Sequence, residues 1–388
     1  MTVVERAIAG KSPRASAIVP PSLRVRSLSM SHWVSDSSQL DDLAHAIDAA
    51  PVALDTEFIR ERTYYPKLAL VQMRSARGEE ALVDPVALSE AGALRAVLEG
   101  PVLKLMHSPS EDLQALLRGW GVIATPLFDT QLAAALTGLG AGKSYQALVE
   151  QLLGVHLEKG ETRSDWLQRP LTASQQHYAA EDVRHLHALH ERLDHRLAEL
   201  GRSDWLRQDC DRMVQTARED GRDPQPHLSS RSAQRMDREA QMRLRRLLLW
   251  RDQVARSRDL PRGWVVDNEL VVLLASRPLS RSRFDALLDQ HPRAPRRSRD
   301  ALWEALSRPP SEDEHDIPLV VAPDPALRAP LKAMQAVVAH HAADLDIPEG
   351  VLCAKRYLEY LLANRTWPEA LDGWRADILK QELMARLP

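Results

Sequence analysis

The chain has 388 residues, 44% of them hydrophobic and 27% charged, with a formal net charge of −3. No apolar run approaches the ~18 residues of a membrane-spanning helix. Its two cysteines, Cys210 and Cys353, exclude a disulfide framework and a four-cysteine zinc site, and suit a reducing cytoplasm.

At this length one core does not suffice, so two or three domains are expected. Residues 1–29 hold several Arg and Ser, a single acid and no clear periodicity. They lack the apolar stretch of a signal peptide and are expected to be a disordered tail, or to precede the true start. From Met30 the chain becomes patterned: HWV leads into SSQLDDLAHAIDAA, which reads as a helix. The run PVALDTEF reads as a buried strand within 51–59, followed by strands at 68–75 and 80–86. Their short connections predict an antiparallel meander. Residues i and i+2 of a strand share a face, so Asp55 and Glu57 point together and Thr56 points away. A lone D-x-E is more often a solvated strand end.

VLKLMH (102–107) reads as another buried strand. Ser108 then fits an N-cap, Pro109 the first helical position, and Glu111 the partner in a capping box. Asp112 follows in the first turn, where the helix dipole favours an anion. Capping accounts for Glu111 but not for Asp112. Asp84 and Asp129 sit at strand ends and are assigned to turns or to supporting roles. Thr172 and Gln175 form a second capping box at the start of a helix running towards Gly201. Tyr178 and Asp182, four apart, share a face of it. His177 is five residues before Asp182, about 500° round a regular helix, and so faces elsewhere. His185, His187 and His190 lack the i, i+4 spacing of a zinc helix and read as polar or half-buried positions.

Of Asp55, Glu57, Asp112, Tyr178 and Asp182, four are carboxylates, costly to bring together unless a cation neutralises them. The strings carrying them are LDTEF with Arg60 and TYYP after it, H-x-x-SEDL, LVDP (82–85), FDTQ (128–131), SDWLQRPL (164–171) and YAAED. In this order they resemble the ribonuclease D family, bacterial 3′→5′ exoribonucleases of the DEDD superfamily, tyrosine variant. The resemblance implies metal ligands at Asp55, Glu57, Asp112 and Asp182 and a water-orienting tyrosine at Tyr178. The sister branch uses a histidine near that spacing, which makes His177 the rival. Two magnesium or manganese ions held by oxygen ligands suit in-line displacement at phosphate. A phenol of ordinary pKa near 10 is a poor base, so Tyr178 is expected to aim the water. The expected products are 5′-mononucleotides. The bacterial resemblance argues against reading the basic, Ser-rich start as a transit peptide.

The implied fold is α/β: a ribonuclease-H-like mixed-sheet exonuclease domain over 30–205, its later strands alternating with helices and parallel. Residues 201–310 carry 23 Arg, no Lys and 16 acids, a balance of +7. Two readings stand for them, attraction of RNA phosphates or solvated helix faces. The second half is helical and repeats: RDLPRGWVVDNELVVLLASR (258–277) aligns with LDIPEGVLCAKRYLEYLLANR (345–365). Both copies look like the small helical HRDC module shared by RecQ-type helicases and ribonuclease D. They are placed at 228–310 and 323–388, with a linker at 311–322 inside the proline-rich, acidic stretch 309–326. That stretch is expected to be extended and solvated. The second module is the weaker candidate for RNA contact.

The expected activity is metal-dependent 3′→5′ exoribonucleolysis in the cytoplasm, away from membranes. The substrates implied are tRNA precursors and other structured RNA with 3′ extensions. The alternatives are a DNA-directed 3′→5′ exonuclease and a catalytically dead nucleic-acid-binding adaptor.

Overall fold

The computed structural model describes residues 32–158, 164–219, 221–320 and 325–388; the expected N-terminal tail lies outside them. The first half runs β1 (His32–Val34), α1 (Ser37–Ala46), β2 (Val52–Ile59), β3 (Lys67–Arg74), β4 (Glu80–Val83), α2 (Leu94–Glu99), β5 (Lys104–Met106), α3 (Ser110–Trp120) and β6 (Leu127–Asp129). Then come α4 (Thr130–Leu136), α5 (Tyr145–Leu153), α6 (Ala173–Arg184), α7 (Leu186–Glu199) and α8 (Ser203–Arg218). The strands form one sheet in the order β1-β4-β3-β2-β5-β6. The β2–β3–β4 meander is antiparallel, as the short connections predict, and β5, β6 and β1 join it parallel. β1 was not expected as a strand, because three residues are too few to show a period of two.

Apolar runs in β2, β3 and β5 are buried on both faces under helices. On one face lies α3, where Gly119 comes so close to β3 that an added Cβ would sit 2.7 Å from Leu68 Cβ. On the other lie α6 and α7. The single helix expected to run towards Gly201 is two helices, broken at His185. The expected domain end at 205 falls inside α8, whose Leu206, Cys210 and Val214 are buried in the same core as the sheet.

The second half is helical throughout its described residues. It runs α9 (Arg238–Arg258), α10 (Arg262–Val265), α11 (Asn268–Ala275), α12 (Arg281–Gln290), α13 (Arg299–Ser307), α14 (Glu312–His315), α15 (Arg328–Asp344), α16 (Glu349–Leu352), α17 (Lys355–Asn364) and α18 (Trp374–Met384). The repeated sequence has repeated geometry. In each copy a long helix ends near an aspartate with positive φ (Asp259 at 48°, Asp346 at 50°). A one-turn helix after proline and a second apolar helix follow.

The described part of the stretch up to Val320, residues 309–320, is not the extended, solvated linker that its composition suggested; 321–324 lie outside the described residues. This part packs on α9. Glu314, 2% exposed, takes a bidentate pair from Arg246, itself 5% exposed, at 2.9 and 2.6 Å. Ile317 is buried, and Val320 exchanges hydrogen bonds with Gln241. Proline and acid content reports local solvation preference, but the partner that overrides it lies 68 residues away in sequence.

Both helical segments are fixed to the first half. The first meets the TYYP loop: Asp259 Oδ1 accepts from Tyr64 N and Tyr65 N, both at 3.0 Å, and Tyr64 Oη donates to Asp252 at 2.8 Å. The second meets α8: Trp205 stacks on Trp374 at 4.4 Å, and Arg375 pairs with Asp209 at 2.6 and 2.9 Å.

Candidate active site

Asp55 and Glu57 lie side by side on the β2 face under α6, opposite Gln72 and Leu70 of β3. The ladder shifts register just beyond Glu57, a bulge of the kind that re-aims side chains. Thr56 does point to the other face, towards α3, but it is not idle there. Its hydroxyl, buried, donates to Asp112 Oδ1 at 2.5 Å. No local pattern marks this contact, which spans 56 residues. Gln72, fully buried beside Asp55, has neither its amide nitrogen nor its oxygen bonded within the described residues.

Asp112 is set by a turn that differs from the expected capping box. Ser108 is not an N-cap; it has φ 55°, and α3 starts after Pro109 with no side-chain cap. The buried Asp129 carboxylate accepts Ser108 N at 2.9 Å and Gln131 N at 2.8 Å. A non-glycine residue in the left-handed region is strained, and this bond holds it so that α3 can turn Asp112 inward. Glu111 is solvent-facing and pairs with Arg60 at 3.2 Å, which also donates to Tyr64 O. Asp84 binds Arg169 at 2.9 and 2.6 Å. Asp84 and Asp129 therefore stand in the supporting places the sequence suggested.

On α6 the Thr172–Gln175 capping box is present. The Tyr178 hydroxyl donates to Asp182, as their shared face requires, and the Tyr178 ring lies 6.1 Å from Trp166. His177 is exposed and points away from this face. The three later histidines are half-buried and spread out. His187 reaches Pro51 O at 2.9 Å, and the His190 ring meets Phe128 at 4.6 Å.

Asp55, Glu57, Asp112 and Asp182 thus converge from β2, α3 and α6. Burial raises each pKa, and in Asp55, Glu57 and Asp182 the neighbouring carboxylates raise it further. Glu57 is pushed to about 9, Asp182 to about 7 and Asp112 to about 6. None of the four pairs with an Arg or Lys in the described ion pairs. Such a set has unmet negative charge and oxygen donors, which fits a hard divalent cation. The unbonded amide of Gln72 adds polar capacity at the same place. Among the described residues no three acid, histidine or cysteine side chains close into a finished coordination shell; drawing carboxylates to ligand distance of one point costs repulsion that only a cation offsets.

Comparison with known proteins agrees with this geometry. Residues 31–198 match a sequence family described as 3′-5′ exonuclease. Ribonuclease D of Xanthomonas oryzae pv. oryzae is 47% identical over 363 residues, covering 92% of this chain and 99% of that protein. Ribonuclease D of Escherichia coli is 33% identical over 368 residues, covering 90% and 96%. The crystal structure of E. coli RNase D, described as an exoribonuclease involved in structured RNA processing, superposes with a TM-score of 0.76 at 29% identity, covering 92% of this chain and 98% of that one. The chain belongs to the ribonuclease D family: it is a 3′→5′ exoribonuclease with a mixed α/β exonuclease domain and a helical C-terminal region, of a class that depends on divalent metal.

Proposed function

We propose that Asp55, Glu57, Asp112 and Asp182 hold two divalent ions, Mg²⁺ or Mn²⁺, with Tyr178 aiming the attacking water. What supports the reading is one observation: four carboxylates converge from three elements, Asp55, Glu57 and Asp182 are raised in pKa by other carboxylates of the cluster, and Tyr178 is bonded to one of them. Bound ions supply Lewis acidity to the water and to the leaving 3′-oxygen. The chain's own groups do the placing. Thr56 orients Asp112. Tyr178 donates to Asp182, and its oxygen keeps lone pairs to accept a hydrogen bond from water. Burial, then the charges of Asp182, Glu57 and Asp55, hold the Tyr178 phenol well above its ordinary range. It therefore keeps its proton and acts by orientation, not as a base. No residue is placed as a covalent nucleophile.

The substrates are the 3′ trailers of tRNA precursors and other structured RNA, handled in the cytoplasm. No helix among the described residues is long and apolar enough to cross a membrane. Residues 228–310 and 323–388 are two HRDC modules, and the first grips RNA. Many of its arginines are committed within the chain, such as Arg246 to Glu314 and Arg256 and Arg262 to Asp252. Others are exposed and unbonded at the side chain among the described residues: Arg258, Arg277, Arg283, Arg293, Arg296 and Arg297. These supply the phosphate contacts. The test is digestion of matched 3′-extended tRNA and single-stranded DNA in magnesium, with products identified. Release of 5′-mononucleotides from RNA is expected. Preferential digestion of the DNA, or digestion unaffected by EDTA, would overturn the reading.

A further inference from the structure

The break between α6 and α7 lies three residues after Asp182, and one side chain fills it. In an unbroken helix the His185 N–H would donate to Glu181 O, the i→i−4 bond. Here the Tyr145 hydroxyl stands between the two, accepting from His185 N at 3.0 Å and donating to Glu181 O at 2.9 Å. A group inserted into the helical ladder is a recognised cause of a sharp bend. Both backbone groups stay satisfied, and α7 leaves α6 at the kink to pack against α4 and α5.

Tyr145 is itself firmly placed. It is 9% exposed, at the first position of α5. Its ring meets the His107 ring edge-on at 5.9 Å. His107 is held in turn by Thr130 Oγ1 at 2.9 Å and Lys143 O at 3.0 Å. His107 opens the segment that turns Asp112 inward. Asp182 and Asp55 lie close enough to act electrostatically on the phenol. One side chain therefore ties the α3 island to the end of the α6 island.

We propose that Tyr145 is a positioning residue of the active site: its hydroxyl, inserted between Glu181 O and His185 N, fixes the C-terminal end of α6 and with it the direction of Asp182. The capping box fixes the other end, so α6 is held against rotation at both. The proposal rests on Asp182 being a cation ligand. Groups that orient ligands typically matter by 10–100-fold in metal affinity or activity. Tyr145 acts through backbone, which puts the expected effect at the lower end.

The test uses the full chain with Tyr145→Phe, which keeps the ring, and Tyr145→Met, which also lacks the hydroxyl. Mn²⁺ binding is read by calorimetry, and turnover is read on a short single-stranded RNA. Both variants should bind Mn²⁺ about tenfold more weakly and lose kcat by a similar factor, with KM for RNA within about twofold. Hydrogen exchange at the His185 amide should quicken. Mn²⁺ affinity and kcat within about twofold of wild type in both variants would overturn the proposal. An Asp182→Asn control that binds Mn²⁺ like wild type would instead bring down the ligand assignment beneath it.

Discussion

The Thr56 hydroxyl donates to Asp112 Oδ1 at 2.5 Å, so the residue between Asp55 and Glu57 holds the third carboxylate of the cluster from the opposite face of β2. Of the four acids, Asp112 is the most buried and the least raised in pKa, at about 6. Burial raises it, and the Thr56 hydrogen bond is the largest effect opposing that rise. Thr56→Val keeps the shape of the side chain and removes the donor. The variant should fold, need about tenfold more Mg²⁺ for half-maximal rate, and lose activity accordingly. An unchanged Mg²⁺ requirement would show that the bond does not orient Asp112.

The carboxylate cluster works against stability until a cation arrives. The pKa values of Glu57, about 9, and Asp182, about 7, lie above ordinary carboxylate values. As pH rises from about 4, the unfolded chain releases these protons first, so native stability falls through the folded-state values. Asp182→Asn or Asp55→Asn should therefore melt higher than wild type in EDTA at neutral to mildly basic pH, by about 2 °C or more. Each should nonetheless retain less than a tenth of the wild-type rate in magnesium, a loss above ~1.4 kcal/mol. Saturating Mg²⁺ should narrow or reverse the melting difference, since an ion binding only the native state stabilises it. A neutralised variant that melts lower in EDTA would contradict the electrostatic account.

Tyr178 bonds Asp182, whereas His177 is exposed on another face of α6. Tyr178→Phe should slow turnover at least about tenfold with RNA binding nearly unchanged, within the range usual for groups that position a reacting proton or water. His177→Ala removes a group that faces away from the site and should stay within about threefold of wild type. An inactive His177→Ala beside an active Tyr178→Phe would place the chemistry on the histidine.

The buried pair under α9 gives a pH signature far from the chemistry. Burial alone would raise the Glu314 pKa, but hydrogen bonds from Arg246, Ser311 N and Arg308 outweigh it and hold the carboxyl at about 2. The folded value is depressed, so the stabilisation is fully present above the ordinary value of about 4.5 and is lost as pH falls towards 2. Glu314→Gln should melt lower than wild type at neutral pH, and the gap should close between about pH 4.5 and 2. A gap independent of pH would mean that packing, not charge, holds the segment.

Removing residues 323–388 does not cleanly report on RNA contact, because Trp374, Leu379 and Leu383 share a core with α8. Point changes are cleaner. Arg293→Gln, Arg296→Gln and Arg297→Gln together should weaken RNA binding and lower the slope of log affinity against log salt by about 2, at ~0.7 per phosphate contact on single strands. An unchanged slope would assign these arginines to a solvated face.

Three short strings already fixed the acids in pairs and on faces. Strand alternation put Asp55 with Glu57, helical spacing put Tyr178 with Asp182, and a capping box marked where α6 begins. The antiparallel meander and the duplicated helical pattern followed from connection length and repeated residues. These are local regularities, set by backbone periods of two and 3.6 residues. Local signals also misled: Ser108 looked like an N-cap, the helix from Thr172 looked continuous, and 309–320 looked solvated. In each case the deciding partner is remote in sequence: Asp129 for Ser108, Tyr145 for the His185 break, Arg246 for Glu314.

The sequence alone determined which acids the chain carries, their order and their local facing, because those depend on neighbours within a turn or a strand. Only the tertiary structure decided that Thr56 holds Asp112, that Tyr145 fills the α6–α7 break and that α8 joins the second helical segment to the sheet. Those contacts join residues tens to more than a hundred positions apart. Chain folding alone supplies that proximity, and no local period encodes it.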